Sequence, residues 1–288
     1  MTREKMIKKG KLIKRILALI TKLRIMKPKT VGQEKWIDTS RGKIRVLEYG
    51  VNSAEVEPLY VDMHGGGFIL LSADIDEPMN LYLREKTKVK IISIDYPKAP
   101  EMPYPIAVEA VYEVVQHYAD NAAKYKIDAS RIGIGGHSAG ANLATVSCIR
   151  AKEKGDSSFK FQLLDYPPLD LYTDPFLKPT PKKAIPPKIA TIFNACYVEQ
   201  DNAAVPYVSP VFATTEQLSQ MPATLLIIAG RDSLHDEGIK YGDMLKNAGV
   251  PVELHEFPNA EHGFTLNLKH SDTPKAFEVM ANFINKNI

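Results

Sequence analysis

Ser138 lies at the centre of residues 136–140, GHSAG, which follow an apolar run and precede a stretch of small residues. A G-x-S-x-G pattern at a predicted strand-to-helix turn is typical of a serine held on a strained bend with its Oγ exposed. A serine hydroxyl is a poor nucleophile at neutral pH, so this chemistry also requires a base and hydrogen-bond donors for an oxyanion. The pattern therefore predicts acyl transfer, provided that the chain supplies both.

An acid and a base follow Ser138 in the chain. Asp232 comes just after the apolar run 223–229, and His262 lies on the loop after the next predicted strand. The chain order Ser, Asp, His is that of α/β-hydrolases. We predict that His262 is the general base and that Asp232 orients it. Helix capping is the alternative role for Asp232.

The glycine-rich segment 64–68, HGGGF, follows a predicted strand and is the candidate oxyanion loop. Glycines let the backbone approach a substrate closely, and H-G-G-G is the oxyanion motif of lipases and esterases. We expect His64 and Gly65 to support the loop. Phe68 and Tyr207 are candidates for the acyl pocket, with packing as the alternative for each.

The chain resembles the hormone-sensitive-lipase-like esterases of the α/β-hydrolase fold over most of residues 43–288. The segments that carry the resemblance are HGGGF at 64–68, DYPKAPEMPYP at 95–105, GHSAG at 136–140, DSLHDEG at 232–238 and HGF at 262–264. The resemblance implies that the N–H groups of Gly66, Gly67 and Ala139 form the oxyanion hole. It also implies a cap built from the N-terminal segment and an insertion. His137 departs from the acidic or small residue usual before the nucleophile, so the subfamily stays open.

Short apolar runs alternate with helical segments after residue 43, which predicts an α/β fold with a mostly parallel central sheet and helices on both faces. Residues 166–210 interrupt the alternation with nine of the twenty prolines. Prolines this dense do not fit regular strands or long helices, so an insertion over the active site is expected. Asp165 and Asp170, at its start, are expected to be turn residues. The predicted organisation is an N-terminal cap segment 1–42, a catalytic core 43–165 and 212–288, and a cap insertion 166–211.

Charge is concentrated at the N-terminus. Residues 1–30 contain eleven Lys or Arg and one acid, a charge of +10, so the rest of the chain carries −7 of the net +3. Basic charge confined to one end argues against nucleic-acid binding. Apolar residues recur in this segment at helical spacing, which fits a helix docked on the core or a weak peripheral contact with an anionic membrane surface. The apolar runs are too short for a secretory signal or a membrane span.

The chain has 288 residues, of which 44% are hydrophobic and 25% charged, so it can bury a sizeable core. Its two cysteines, Cys148 and Cys196, have no metal-ligand spacing and fit a reducing cytoplasm. We therefore expect a cytoplasmic protein with no metal and no cofactor, whose state of oligomerisation, a homo-oligomer included, is open.

The residues together predict a serine carboxylesterase that hydrolyses short-chain acyl esters of small alcohols. A membrane-surface lipase and an amide hydrolase, formamidase-like or peptidase-like, are alternatives on the same three side chains. A binding protein without activity is a further alternative, which labelling of Ser138 by a fluorophosphonate would exclude.

Overall fold

The computed structural model describes residues 2–23, 30–155 and 159–288. Within them, eight strands form one sheet in the order β1-β2-β4-β3-β5-β6-β7-β8. The strands are β1 (Gln33–Thr39), β2 (Gly42–Tyr49), β3 (Glu57–Met63), β4 (Lys90–Asp95), β5 (Ile127–His137), β6 (Phe161–Asp165), β7 (Ala223–Arg231) and β8 (Val252–Glu261). Strands β4, β3 and β5–β8 run parallel, whereas β1 and β2 pair antiparallel at one edge. The predicted mostly parallel sheet is confirmed.

Strand β1 lies before residue 43, where the predicted alternation of strands and helices begins, and only Ile37 of its seven residues is buried. It pairs with β2 along its whole length, from Gln33 opposite Glu48 to Thr39 opposite Gly42. Part of the predicted N-terminal cap segment 1–42 therefore belongs to the sheet rather than to a cap.

Helices cover both faces of the sheet. They are α1 (Arg3–Leu23), α2 (Glu77–Thr87), α3 (Ile106–Asp120), α4 (Ala122–Tyr125), α5 (Ala139–Lys154), α6 (Pro187–Tyr197), α7 (Thr215–Leu218), α8 (His235–Asn247) and α9 (Thr273–Asn287). Helices α3, α5 and α8 bury side chains in one core cluster, and α2 and α9 do so in a second cluster across the sheet. This two-sided burial explains why the parallel strands consist largely of Ile, Leu and Val.

The proline-rich insertion contains a regular helix, α6, which the prolines alone did not predict. Pro187 is its first residue, a position where the missing N–H of proline costs no hydrogen bond. Helix α1 packs against α6, and a Cβ placed on the buried Gly10 would lie 2.4 Å from Cys196 Sγ. Arg3 Nε donates to the carbonyl oxygen of Ala195 at 3.1 Å. The N-terminal helix and the insertion thus form one layer.

Among the described residues, no helix is both long enough and apolar enough to cross a bilayer. Part of the basic segment 1–30, namely residues 24–29, lies outside the described residues.

Candidate active site

Ser138 occupies the turn between β5 and α5, with φ 48° and ψ −118°. A positive φ is strained for a residue that carries a Cβ, and such strain is characteristic of functional turns. The flanking glycines allow the turn to pack on the end of β3, since a Cβ on Gly136 or Gly140 would lie 2.4 or 1.9 Å from the Met63 carbonyl oxygen. The predicted strand-turn-helix geometry of residues 136–140 is present.

His262 and Asp232 converge on Ser138 from the ends of two neighbouring strands. Asp232 follows β7 and His262 follows β8, at the carboxyl edge of the sheet. His262 Nε2 lies 3.0 Å from Ser138 Oγ, and His262 Nδ1 lies 2.6 Å from Asp232 Oδ2. A carboxylate only accepts hydrogen bonds, so Nδ1 carries the proton and Nε2 is left as the acceptor that faces the serine hydroxyl.

The glycine loop lies beside the serine. Gly66 and Gly67 have φ angles of 114° and 59°, and a Cβ on Gly66 would lie 2.2 Å from the Leu70 carbonyl oxygen, so this turn requires glycine. A Cβ on Gly65 would lie 3.5 Å from Ser138 Cβ. Ala139 is the first residue of α5, where an N–H has no intrahelical acceptor and the helix dipole favours negative charge. The loop that contains Gly66 and Gly67 thus lies next to the turn that carries Ser138 and Ala139.

His64 supports the glycine loop through a hydrogen bond and a ring contact. Its Nδ1 donates to the Gly65 carbonyl oxygen at 2.6 Å, and its ring stacks on Tyr96 with 4.3 Å between centroids. The Tyr96 hydroxyl donates to the His64 carbonyl oxygen at 2.9 Å. Burial lowers the pKa of His64, so the ring is held neutral and in place. This contact pattern fits the predicted supporting role.

The two acyl-pocket candidates, Phe68 and Tyr207, both make packing contacts. Phe68 is only 3% exposed, and its ring stacks on Tyr197 of α6 at 3.8 Å, so it offers little surface to a substrate. The Tyr207 hydroxyl contacts the Glu153 carboxylate near the far end of α5. At 1.5 Å per residue, that is about 22 Å along the helix from Ser138. These contacts fit packing, the stated alternative, and the predicted acyl-pocket role stays a prediction.

Two other side chains near Ser138 belong to no recognised sequence motif. Phe193 of α6 lies against the oxyanion loop, because a Cβ on Gly67 would be 2.2 Å from its ring. Tyr166 has a φ of 40°, and its ring lies 4.8 Å from that of His262, edge to face. Both residues come from the insertion, whose sequence shows only its prolines. Nothing in the local pattern could place them.

Behind the turn, His137 and Asp165 form a second imidazole–carboxylate pair. His137 Nδ1 lies 2.7 Å from Asp165 Oδ2, which also accepts a 2.6 Å hydrogen bond from the Thr265 hydroxyl. The expectation that Asp165 is a turn residue is wrong, since it is the fully buried last residue of β6. Asp170 does stabilise a turn, by accepting from the N–H groups of Tyr172 and Thr173.

Comparison with known proteins agrees with this geometry. A sequence family described as the alpha/beta hydrolase fold matches residues 60–266. The esterase LipI of Mycobacterium tuberculosis is 32% identical over 211 residues, which cover 72% of this chain and 65% of LipI. An ethyl acetate hydrolase of Pseudomonas putida is 27% identical over 209 residues, which cover 70% and 64% of the two chains. The chain therefore spans a little less than two thirds of the length of these curated relatives.

A solved structure extends the likeness to the whole chain. The esterase of Pyrobaculum calidifontis is 30% identical with a TM-score of 0.82, over 99% of this chain and 93% of that one. The family match covers most of the chain, and the expected motifs meet at one edge of the sheet. The chain belongs to the hormone-sensitive-lipase-like esterase family of the α/β-hydrolase fold.

Proposed function

We propose that the protein is a serine carboxylesterase that hydrolyses short-chain acyl esters. The observation that carries the proposal is the hydrogen-bonded chain from Ser138 through His262 to Asp232. A glycine loop lies beside it, and its backbone can approach an oxyanion closely. The names of the relatives, esterase and ethyl acetate hydrolase, support the same substrate class.

The reaction follows from the geometry. His262 Nε2 accepts the Ser138 hydroxyl proton as Oγ attacks the ester carbonyl carbon, and Asp232 stabilises the imidazolium that forms. The carbonyl oxygen becomes an oxyanion that accepts hydrogen bonds from the N–H groups of Gly66, Gly67 and Ala139. Collapse of the tetrahedral intermediate breaks the bond to the alcohol, which leaves with the proton from His262. Water, deprotonated by His262, then releases the acid and restores Ser138.

Preference for short acyl groups is supported by the position of α6. Phe193 covers Gly67, so the space above the oxyanion loop is restricted. We infer that crowding above this loop favours short acyl groups over long ones.

The proposal is tested by hydrolysis of p-nitrophenyl esters from acetate to palmitate, with p-nitroanilides of the same acids alongside. We expect turnover to peak at acyl chains of about two to six carbons, because methylene groups that extend beyond the pocket add no binding energy. Ser138→Ala should lower kcat by a factor of about 10⁴ or more. A peak at long chains would instead indicate a lipase, and anilide turnover equal to ester turnover an amidase. Equal activity in the variant would contradict the mechanism.

A membrane-surface lipase is the second candidate, because α1 exposes large apolar side chains. Leu12, Ile16 and Leu19 are 56%, 48% and 59% exposed on a helix rich in lysine. Apolar residues beside basic ones are typical of helices that lie on anionic membranes. The same helix contacts the insertion through α6, so membrane contact would occur next to the cap.

A further inference from the structure

Three buried ionisable side chains from distant parts of the chain meet behind Ser138. Asp62 lies in β3, Asp76 ends the 3₁₀ turn that precedes α2, and His137 ends β5. Each is at most 1% exposed. One ligand atom of each lies within 4.8 Å of those of the other two. The proposed reaction uses none of these side chains.

The cluster has more hydrogen-bond acceptors than donors. Its buried atoms without a hydrogen-bond partner among the described residues include four acceptor oxygens, on Asp62, Asn80 and, twice, Asp76. Two groups in or beside the cluster also lack a partner among the described residues and could donate, namely His137 Nε2 and the hydroxyl of Tyr60 in β3. An unpaired carboxylate away from water is costly unless a cation compensates it. The composition of the cluster therefore calls for a compensating proton or cation.

The surrounding contacts hold the free atoms in place. Asp62 Oδ2 accepts hydrogen bonds from Asn80 Nδ2 at 2.9 Å and Ser93 Oγ at 2.7 Å, which leaves Oδ1 free. His137 donates its Nδ1 proton to Asp165, which leaves Nε2 free. A carboxylate behind the second nitrogen of an imidazole is the usual arrangement around a metal-ligating histidine.

A proton on His137 Nε2 is the simplest cation, but the geometry does not suit it. His137 Nε2 and Asp76 Oδ1 are 3.9 Å apart, whereas a charged N–H···O bond closes to about 2.8 Å. Two ligands at about 2.0–2.2 Å from one ion are about 3.4 Å apart at a tetrahedral angle and about 4.3 Å apart in line through the ion, so one ion can span this distance at an angle between the two. A metal ion at Nε2 would take the place of a proton on this nitrogen.

We propose that Asp62, Asp76 and His137 bind one divalent transition-metal ion with a structural role. Imidazole with carboxylates suits Zn²⁺ or Mn²⁺. The ion would join the strand that leads into the oxyanion loop, the turn before α2 and the turn that carries Ser138. These ligands come from three separate segments, which is why their spacing in the sequence shows no metal motif and the absence of a metal was expected.

The test uses tag-free protein unfolded in guanidinium with EDTA and refolded with Zn²⁺, with Mn²⁺ or with neither. After dialysis against EDTA, mass spectrometry should find about one ion per chain, because a buried ion exchanges slowly. The metal-bound protein should also have the higher Tm. Wild-type protein that refolds with either metal present, retains none and shows the same Tm as the metal-free sample would overturn the proposal.

Variants separate this site from adventitious binding. Asp76→Asn and His137→Gln should each lose the ion. His235→Gln should keep it, although His235 also lies between two carboxylates, those of Asp236 and Glu256, on the surface. Equal metal content in wild type and Asp76→Asn would overturn the site. If both cluster variants fail to fold, the metal content and Tm of refolded wild type decide.

Discussion

At the scale of single residues, the proton on His262 determines whether Ser138 can be activated. The 2.6 Å contact from Nδ1 to Asp232 keeps Nε2 as an acceptor toward Ser138. An asparagine at position 232 can donate its amide to the ring and stabilise the wrong tautomer. The side chain of Asp232 is therefore needed for its charge and for its acceptor atoms, more than for its size.

We predict that Asp232→Asn lowers kcat by a factor of about 10⁴ and changes KM little, because ester binding does not use the imidazole. Steady-state hydrolysis of p-nitrophenyl acetate measures both constants. Asp236→Asn, an exposed acid on the same loop-helix junction, is the matched control and should behave as wild type. A loss of less than tenfold for Asp232→Asn would argue that another acid orients His262.

Glu237 is a buried acid that ties the insertion to the core. Its Oε1 accepts from the Leu169 N–H at 2.6 Å, and its Oε2 pairs with Lys178. Burial raises the pKa of Glu237 to about 7, against the opposing effect of Lys178. A raised carboxyl pKa means that the folded state binds the proton more tightly than the unfolded state, whose pKa is near 4.5. The stabilisation is complete below the unfolded value and is lost as the pH rises through the folded value.

Compared with Glu237→Gln, which cannot titrate, wild type should lose relative stability between pH 4.5 and 7. The difference in unfolding free energy should fall by about 3 kcal/mol at most, since one pKa unit is worth about 1.4 kcal/mol. Urea unfolding of both proteins at pH 5 and pH 8 measures it. A difference that grows with pH would show that the pair with Lys178 dominates.

At the scale of elements, the contact between α1 and α6 depends on one glycine. A Cβ on Gly10 would overlap Cys196 Sγ, at 2.4 Å, and Cys196 itself is 1% exposed. The two helices therefore approach more closely than any larger residue at position 10 would permit. Displacing α1 would uncover the thiol.

We predict that Gly10→Leu makes Cys196 reactive toward a thiol reagent such as DTNB, while the wild-type thiol reacts slowly. The measurement uses a Cys148→Ala background, so that any reaction with the reagent reports Cys196 alone. Cys148 is the other free thiol and is buried in the core. Lys9→Leu places the same side chain at the neighbouring exposed position of α1 and should leave Cys196 protected. Protection retained in Gly10→Leu would mean that α1 and α6 can separate slightly without exposing the thiol.

The elements that could be predicted from the sequence are those whose structure depends on residues within one short segment. The turn at Ser138 needs glycines on both sides, and the strands before Asp232 and His262 are continuous apolar runs. Strand–turn–helix units of this kind meet at the carboxyl edge of a parallel sheet, so the three side chains could be placed together.

Features that depend on distant partners were not predictable in this way. Strand β1 is polar and is defined by its pairing with β2, and α6 lies within a proline-rich segment. The contact of the Tyr207 hydroxyl with Glu153, near the end of α5, likewise joins the insertion to a distant helix. Such contacts arise from packing between segments, which no local pattern contains.

At the scale of the whole molecule, charge is distributed unevenly. Residues 1–30 carry +10 against a net +3 for the chain, and α1 presents exposed Leu12, Ile16 and Leu19. Helix α1 also packs on α6, which places Phe193 against the oxyanion loop. A membrane surface that binds α1 would therefore lie close to the oxyanion loop.

We predict weak binding to vesicles that contain phosphatidylglycerol, and none to vesicles of phosphatidylcholine alone, because basic residues near an anionic surface gain electrostatic energy. Co-sedimentation should show loss of binding as salt rises, since the Debye length shortens to about 3 Å at 1 M. The double variant Leu12→Asn with Ile16→Asn should bind less than wild type at equal charge. Leu177→Asn, which alters a 79% exposed leucine of the insertion, should bind as wild type. Wild-type protein that stays in the supernatant at low salt would remove the support for a membrane-surface lipase and leave soluble esters as the substrates.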